Sequence, residues 1–578
     1  MNEIELSGVI NPDTLAVEIS NQWFTLNQSR SSWLEEKQEL RNYLYATDTK
    51  TTANSILPWS NSTTTPKLTQ IMDNLHANYF STLFPRQQWM KFEAFSEDAA
   101  VKEKRETIQA YMDTKLRQSN FINTMSDLLY DWIQYGNCFT LVEWEQKYLT
   151  NEANEVIIDY IGPKATRISP HDIVFDATAS DFGETRKIIR SLKTLGEVKR
   201  MVLDNPDNAF LQSALDRSLA ARATVLGGDD KYKDAGFVAD GFGSIREYYN
   251  SDYVEILTFY GSVYNKDTQE YQTDRIITVM DRSYVLENKE NPSWLGNAPI
   301  FHAGWRDRPD NLYSMGPLDN LVGMQYRIDH LENLKADVFD QIAYPILKIK
   351  GDVEDFDFQP NARIYLGEEG DVNYLAPDGT ALQADMQIAI LEAKMEEMAG
   401  APKQAMGIRT AGEKTAFEVQ TLHNASSRIF EHKTGHFERV FVENILNSML
   451  EMARRNLNQS DVIRTIDSQY GIELFKEVDK DDISASGKIV PVGARHFAER
   501  ARRVQNLNQL YQIKLADPSV SAHLSGKEFA KILSEELGEP SLYSENIAVQ
   551  EALETTEVQQ EAEMQNQENL QTKQELGI

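Results

Sequence analysis

Along roughly the first 135 residues, apolar positions recur at spacings of three and four, in LAVEISNQWFTLNQSRSSWLEEKQELRNYL, in TPKLTQIMDNLHANYFSTLF and in a charged run ending FINTMSDLLYDWIQYG. This period predicts helices, punctuated by Pro85 and Gly136. From CFTLVEWEQ through EVIIDYIGPKATRISPHDIVFD the period falls to two, with β-branched and aromatic residues, so strands begin there. Residues 181 to 250 read as helical around an exposed loop, LGGDDKYKDAGFVADGFG. YVEILTFYGSVY and DRIITVMDRSYVLE predict strand pairs joined by a polar turn, and the Pro and Gly of NPSWLGNAPIFHAGW predict an irregular passage.

The next part is more regular. A helix is expected over GPLDNLVGMQYRIDHLENLKADVFDQIAYP, with Pro317 just inside its first turn and its end before Pro345. Leu321, Met324, Ile328, Leu331, Val338 and Ile342 form one apolar stripe on it, while Asp329, Glu332, Asp337 and Asp340 take other faces. A β-like insert, ILKIKGDVEDFDFQPNARIYLGEEGDVNYLAPDGT, is too small to bury a core alone. A second helix, ALQADMQIAILEAKMEEMAG, leads through APKQAMGIRTAGEKT into one very long helix from about Thr415 to Arg455. Its seam of Val419, Leu422, Ile429, Phe430, Phe437, Phe441, Ile445, Met449 and Met452 would span about 60 Å. GIELFKEVDKDDISASGKIVPVGARHF returns to strand character, ERARRVQNLNQLYQIKL and GKEFAKILSEELGE predict shorter helices, and from about Asn546 a Glu/Gln-rich tail is disordered or weakly helical. The expected class is α+β, predominantly α-helical.

With 578 residues the chain is long enough for several domains, and 41% hydrophobic with 25% charged residues is ordinary globular composition. A formal net charge of -31 argues against a large basic face gripping phosphates, and equally serves solubility. Cys138 is the only cysteine, which excludes a disulfide framework or thiolate zinc cluster and predicts a cytoplasmic setting; a small buried thiol is expected there. MNEIELSGVI has no basic segment followed by an apolar one, and no stretch reaches the ~18 apolar residues of a membrane span, so neither secretion nor a membrane is expected.

The candidates for chemistry are few. GIRTAGEKT, residues 407 to 415, approaches a P-loop, but Glu413 separates Gly412 from Lys414 and a helix rather than a strand precedes Gly407. The insertion moves the cation out of register and puts a carboxylate where phosphate would sit. A loop joining two helices accounts for it better than nucleotide binding. His432 and His436 share a metal spacing but lack the following glutamate. Asp479, Asp481 and Asp482 lack the glycine and final glutamate of a calcium loop, which leaves a polar turn. Arg495, Arg500, Arg502 and Arg503 make a basic cluster that suits a solvated face paired with acids, or else DNA. No triad spacing is present, so no enzyme, metal or cofactor is expected.

The order of these parts resembles the portal, or head-to-tail connector, proteins of tailed bacteriophages, particularly the podovirus type. The resemblance is carried by ISPHDIVFDATASDF at 168 to 182, MGPLDNLVGMQYRIDHLENLKADVFDQIAYPIL at 315 to 347, the helix-loop-helix from Ala381 to Arg455 and GKIVPVGARHF at 487 to 497. It implies a ring, by family habit a homododecamer, at one capsid vertex of the virion, assembled in the host cytoplasm. Double-stranded DNA would be packaged and ejected through it. Terminase and then tail adaptor or head-completion proteins would dock on it, beside major capsid and scaffolding proteins. The implied parts are a wing at 1–315 and 415–495, stem helices at 316–343 and 382–400, a clip at 344–381, a tunnel loop at 401–414, a crown at 496–545 and a tail at 546–578. In the tunnel loop Gly400, Gly407 and Gly412 would act as hinges and Lys403, Arg409 and Lys414 would brush passing phosphates. The clip would complete its sheet with strands of neighbouring copies. A helical scaffold protein and a P-loop-like nucleotidase remain the alternatives.

Overall fold

The computed structural model describes residues 3–6, 10–45, 61, 63–85, 89–95, 99–150, 156–204, 212–213, 215–216, 231–240, 253–343, 346–351, 365, 367, 370–375, 379–399, 429–458, 461–466, 473–492, 507, 510 and 532. It is mixed α+β. The chain divides into two compact units, Met1–Gln459 with Asp479–Pro491, and Ser460–Val478 with Val492–Ile578.

In the first unit, strand β1 (Glu3–Leu6) precedes helices α1 (Pro12–Ser29) and α2 (Ser31–Leu44). Asn11 and Thr14 cap α1 reciprocally, with Pro12 at its first position. Helix α3 (Lys67–Leu83), strand β2 (Met90–Ala94), α4 (Ala99–Gln118) and α5 (Phe121–Gln134) follow. Thus the run expected to be mostly helical contains two short strands and breaks at Arg30 and at Asn120, whose φ is +57°. Next come β3 (Asn137–Thr150), β4 (Val156–Ile168), β5 (Ile173–Phe175), β6 (Lys187–Thr194), α6 (Leu195–Asp204) and α7 (Lys231–Ala239). KIIRSLKT is therefore a strand, not part of a helical stretch. Strands β7 (Tyr253–Asn265), β8 (Tyr271–Met280) and β9 (Tyr284–Glu290) lead to β10 (Ile300–Gly304), β11 (Arg306–Arg308) and β12 (Asn311–Met315), so the passage read as irregular is irregular at 291–299 and then carries one strand, β10.

The main sheet runs β5-β6-β7-β8-β9, with β1 pairing in parallel with residues 262–265 of β7, beyond the stretch that β6 occupies. One face packs on α1 through Leu15, Ala16, Ile19 and Trp23 against Val174, Ile188, Leu257, Phe259 and Ile277. The other, through Ile173, Phe175, Ile189, Tyr260 and Ile276, meets Phe139, Ile168, Ile300 and Tyr313 of the three-stranded sheet β10-β3-β4 and its surroundings. A strand covered on both faces is apolar without alternation, which is why Ile188 and Ile189 are both buried and KIIRSL lacks a period of two.

The ISPHD segment serves as a junction. Arg30 donates to the carbonyls of Pro170, His171 and Ile173, each at 2.7 Å. Asp172 pairs with Arg190 at 2.8 Å and Lys233 at 2.7 Å; burial pushes its carboxyl up, but the two cations outweigh this and hold it near 2.

Helix α8 (Val322–Ala343) follows a 3-10 turn at Asp319–Leu321, so Pro317 lies ahead of the helix rather than in its first turn. Strands β13 (Ile346–Lys350) and β14 (Asp371–Leu375) pair as an antiparallel ladder, and a 3-10 turn, Gly379–Ala384, opens α9 (Asp385–Ala399). The described part of the long helix begins at Ile429, passes a π-turn at Glu438–Val442 and ends as α10 (Glu443–Asn456). Phe437, Phe441, Ile445, Met449 and Met452 are buried as its seam requires, Ile429 is exposed, and Val419 and Leu422 lie outside the described residues. Trp132 of α5 bridges this helix and α3, its ring 4.7 Å from Phe437 and 5.0 Å from Tyr79. Beyond β15 (Asp461–Ile466) and β16 (Glu473–Val478), which form the described hairpin of the second unit, β17 (Gly487–Pro491) returns to the first unit and pairs with β2.

Cys138 is fully buried in β3. His432 is exposed and His436 faces Asp307 at 3.3 Å, while Asp479 to Asp482 form a turn closed by Asp479 N–H on the Asp482 carboxylate at 3.0 Å. Among the described residues no cluster of His, Cys, Asp or Glu could hold a metal ion, and no helix is long and apolar enough to cross a membrane. The basic cluster Arg495, Arg500, Arg502 and Arg503 lies outside the described residues.

Candidate functional site: an anchored helix pair with uncovered faces

Helices α8 and α9 run antiparallel and are joined to the body by charge. Lys37 of α2, 2% exposed, bonds both carboxylate oxygens of Asp319 at 2.5 and 2.6 Å, and Asp319 also accepts the Gly316 N–H at 2.8 Å. Burial pulls the Lys37 ammonium below its ordinary range and the Asp319 carboxylate counters this. Lys67, at the start of α3, bonds the buried Glu396 near the end of α9 at 2.7 Å. Each helix of the pair thus has one buried ion pair at its base. Between α5 and β3, Gly136 has φ +70° and lies so close to Gly316 that a Cβ would overlap the Gly316 backbone. Only glycine lets that bend sit against the chain entering α8.

A third attachment is a ladder. Residues 61 and 63–65 lie along α8 in the opposite direction, bonded by side chains one turn apart on the helix. Asn61 donates its N–H and side-chain amide to Asp337 at 2.5 and 2.9 Å, and its amide reaches Asp340 at 2.8 Å. Thr63 and Asn333 exchange two bonds, 2.7 and 3.0 Å. The Thr65 N–H meets Asp329 at 3.0 Å, and Gln325 spans the Thr65 carbonyl at 2.6 Å, the Asp329 carboxylate at 2.8 Å and the Leu68 N–H at 3.3 Å. The match is geometric: two residues of extended chain advance about 6.6 Å, and four residues of helix about 6 Å. Alternate backbone groups therefore meet successive turns.

Asp329 departs from the expectation that it sits on a polar face. It is buried, its second oxygen has no hydrogen-bond partner among the described residues, and burial pushes its carboxyl up to about 6. The nearby Tyr43 phenol is raised too, chiefly by burial, and stays neutral in this range.

The other faces of the pair are bare. Of the six expected packing residues, Leu321 and Ile328 are buried, Met324, Leu331 and Val338 half-buried, and Ile342 exposed. Tyr326 is 61% exposed, Phe339 64% and Met386 75%, with Leu334, Ile390 and Met398 also exposed. Ile346, Ile349 and Leu375 extend this apolar surface onto the β13–β14 hairpin. Isolated exposed apolar side chains are ordinary; this many on one hairpin are not. The loop residues Gly400, Lys403, Gly407, Arg409, Gly412 and Lys414 lie outside the described residues.

The anchoring residues were missed in the sequence. Lys37 and Asp319 are 282 positions apart and nothing local pairs them. The ladder had a signal: Gln325, Asp329, Asn333 and Asp337, amide or carboxylate at every fourth residue of one helix.

Among the described residues the first unit is mixed α+β and carries a helix pair with exposed apolar side chains. Residues 16–159 match the model of a family described as bacteriophage head to tail connecting protein, which supports a phage portal or connector protein. The match runs from α1 into β4 and includes Lys37 and Lys67. No curated protein matches the chain.

Two outcomes test the anchors. Lys37→Met strands Asp319 without its cation and is expected to cost about 3–5 kcal/mol, measured by denaturant unfolding of the purified chain. Asp329 holds its proton more tightly folded than unfolded, where its value lies near 4. The contribution of Asp329 to stability is therefore greatest below about pH 4, falls as pH rises toward 6 and levels off above. Asp329→Asn, which keeps the accepting oxygen, should flatten that slope and gain about 1–3 kcal/mol at pH 7.5, read from melting temperatures across pH.

Proposed function

We propose that this chain is a portal subunit of podovirus type, building a ring-shaped DNA channel at one capsid vertex. One observation carries the reading: a helix pair fixed to the body by buried ion pairs bears apolar side chains that the described residues leave uncovered, in a chain whose residues 16–159 match the connecting-protein family. Apolar surface exposed in this quantity is stabilised by association, and a contact between unlike patches repeats from copy to copy, giving a ring where its rotation closes.

In this reading α8 and α9 are the stem, and the body on either side of them is the wing. The β13–β14 hairpin is the core of the clip; with only two strands and exposed Ile346, Ile349 and Leu375 it gains stability by pairing with neighbouring copies. Residues 401–414 form the tunnel loop, where Lys403, Arg409 and Lys414 touch DNA phosphates in passing, and 496–545 form the crown. The net charge of -31 keeps the channel from binding DNA tightly, since a strong phosphate grip would brake translocation. Terminase docks at the clip during packaging and tail adaptors replace it. Scaffolding and major capsid proteins surround the wing.

Negative-stain microscopy of the purified full-length chain tests this reading. Annuli with a central hole are expected at micromolar concentration; particles that stay monomeric across protein and salt concentrations would overturn it.

A further inference from the structure

The bare stripes of the helix pair carry a register. Lys335 of α8 bonds Asp385 of α9 at 2.7 Å, and at the other end Gln325 and Glu396 meet the adjacent Leu68 and Lys67, which together put Lys335 and Asp385 close to one level of the antiparallel pair. Each residue earlier on α8 is then level with one residue later on α9. Both helices rise by the same step. Leu334 is thus level with Met386, His330 with Ile390 and Tyr326 with Lys394.

All six of these side chains are exposed, and on each helix they succeed one another at intervals of four. Their chemistry matches in the same order. Leu334 and Met386 are apolar, His330 offers an aromatic ring to Ile390, and Tyr326 offers a ring face to the Lys394 ammonium. Tyr326 stacks on His330 within its own helix, centroids 6.5 Å apart and planes within 7°, so the tyrosine ring is already placed along the stripe. Lys394 makes no ion pair within the subunit among the described residues. The two stripes therefore carry complementary groups at equal heights on different helices of the same chain.

A rotation about an axis along the helices moves a copy sideways and leaves heights unchanged. We infer that neighbouring copies meet α8 to α9 in this register, with Leu334 on Met386 of the next copy, His330 against its Ile390 and Tyr326 beneath its Lys394. The inference rests on the ring reading above and adds to it the contact that sets which faces meet and at what height. Because the patches differ, each copy offers one to the left and one to the right, and the same contact repeats around the ring.

Cysteine cross-linking of the full-length chain tests it, and the native Cys138 is buried, so background is low. Leu334→Cys with Met386→Cys, and separately His330→Cys with Ile390→Cys, should on mild oxidation give ladders of dimers, trimers and higher species that reductant collapses. A disulfide needs Cα atoms within about 7 Å, so the offset pair Leu334→Cys with Ile390→Cys, about 6 Å out of level, should link at least five-fold less. Variants that form rings under reductant yet yield only monomers on oxidation, or link best in the offset pair, would overturn the register and leave the ring intact. A native chain that forms no ring overturns the reading beneath it instead. Cysteine at the exposed Leu334, Met386 and Ile390 removes no buried side chain, and His330→Cys removes its stack on Tyr326, so a Leu334→Cys, Met386→Cys variant that loses the ring while melting as the native chain counts for the contact.

Discussion

The helix pair depends on two ammonium groups taken out of water. Burying Lys37 against Asp319 and Lys67 against Glu396 gains little net stability, because the desolvation of four charges offsets most of their attraction. What such pairs supply is direction: a buried cation accepts its carboxylate in one place and penalises every other. With the Gly136–Gly316 contact and the ladder of 61–65 on α8, they set the angle at which the pair leaves the body. The apolar stripe of α8 contributes less to this, since Leu321 and Ile328 are its buried members and the rest is half-buried or bare.

Polar anchoring on one side leaves the apolar side chains free for the other. Tyr326, Leu334 and Phe339 on α8 and Met386, Ile390 and Met398 on α9 are surface that the described residues leave uncovered. Copies of a chain with a net charge of -31 repel one another, so the attraction between them has to come from short-range apolar contact and a few local complementary charges. The pattern of side chains on the pair provides both. In the proposed ring, acidity and apolar stripes would thus divide the work between keeping copies soluble and joining them.

Much of the architecture was legible from periodicity. The stripe of α8, the helix α9, the seam from Phe437 to Met452 and the strands β3, β4, β7 and β8 follow from spacings of three and four or of two. Elements were missed where tertiary burial removes the alternation, as in KIIRSLKT with Ile188 and Ile189 both covered, or where a strand is short and paired far away, as MKFEA with residues 487–491. The two helices of the candidate site were readable, but the exposed Tyr326, Leu334, Phe339, Met386, Ile390 and Met398 were not among the residues named from the sequence, and its polar half was not readable either. Asp329 looks like any acid on a helix until residues 61–65 lie over it. The ion pairs join residues hundreds of positions apart, beyond the reach of any local pattern.

The central claim is that the uncovered stripes become covered when copies meet. Hydroxyl-radical footprinting of the purified chain, read by mass spectrometry at Tyr326 and Met386, tests it most directly. Both side chains should be oxidised readily at dilutions where the subunit is single and protected several-fold in the assembled ring, with the buried Trp132 unreactive in each state as the control. Equal oxidation of Tyr326 and Met386 in subunit and ring would contradict the account.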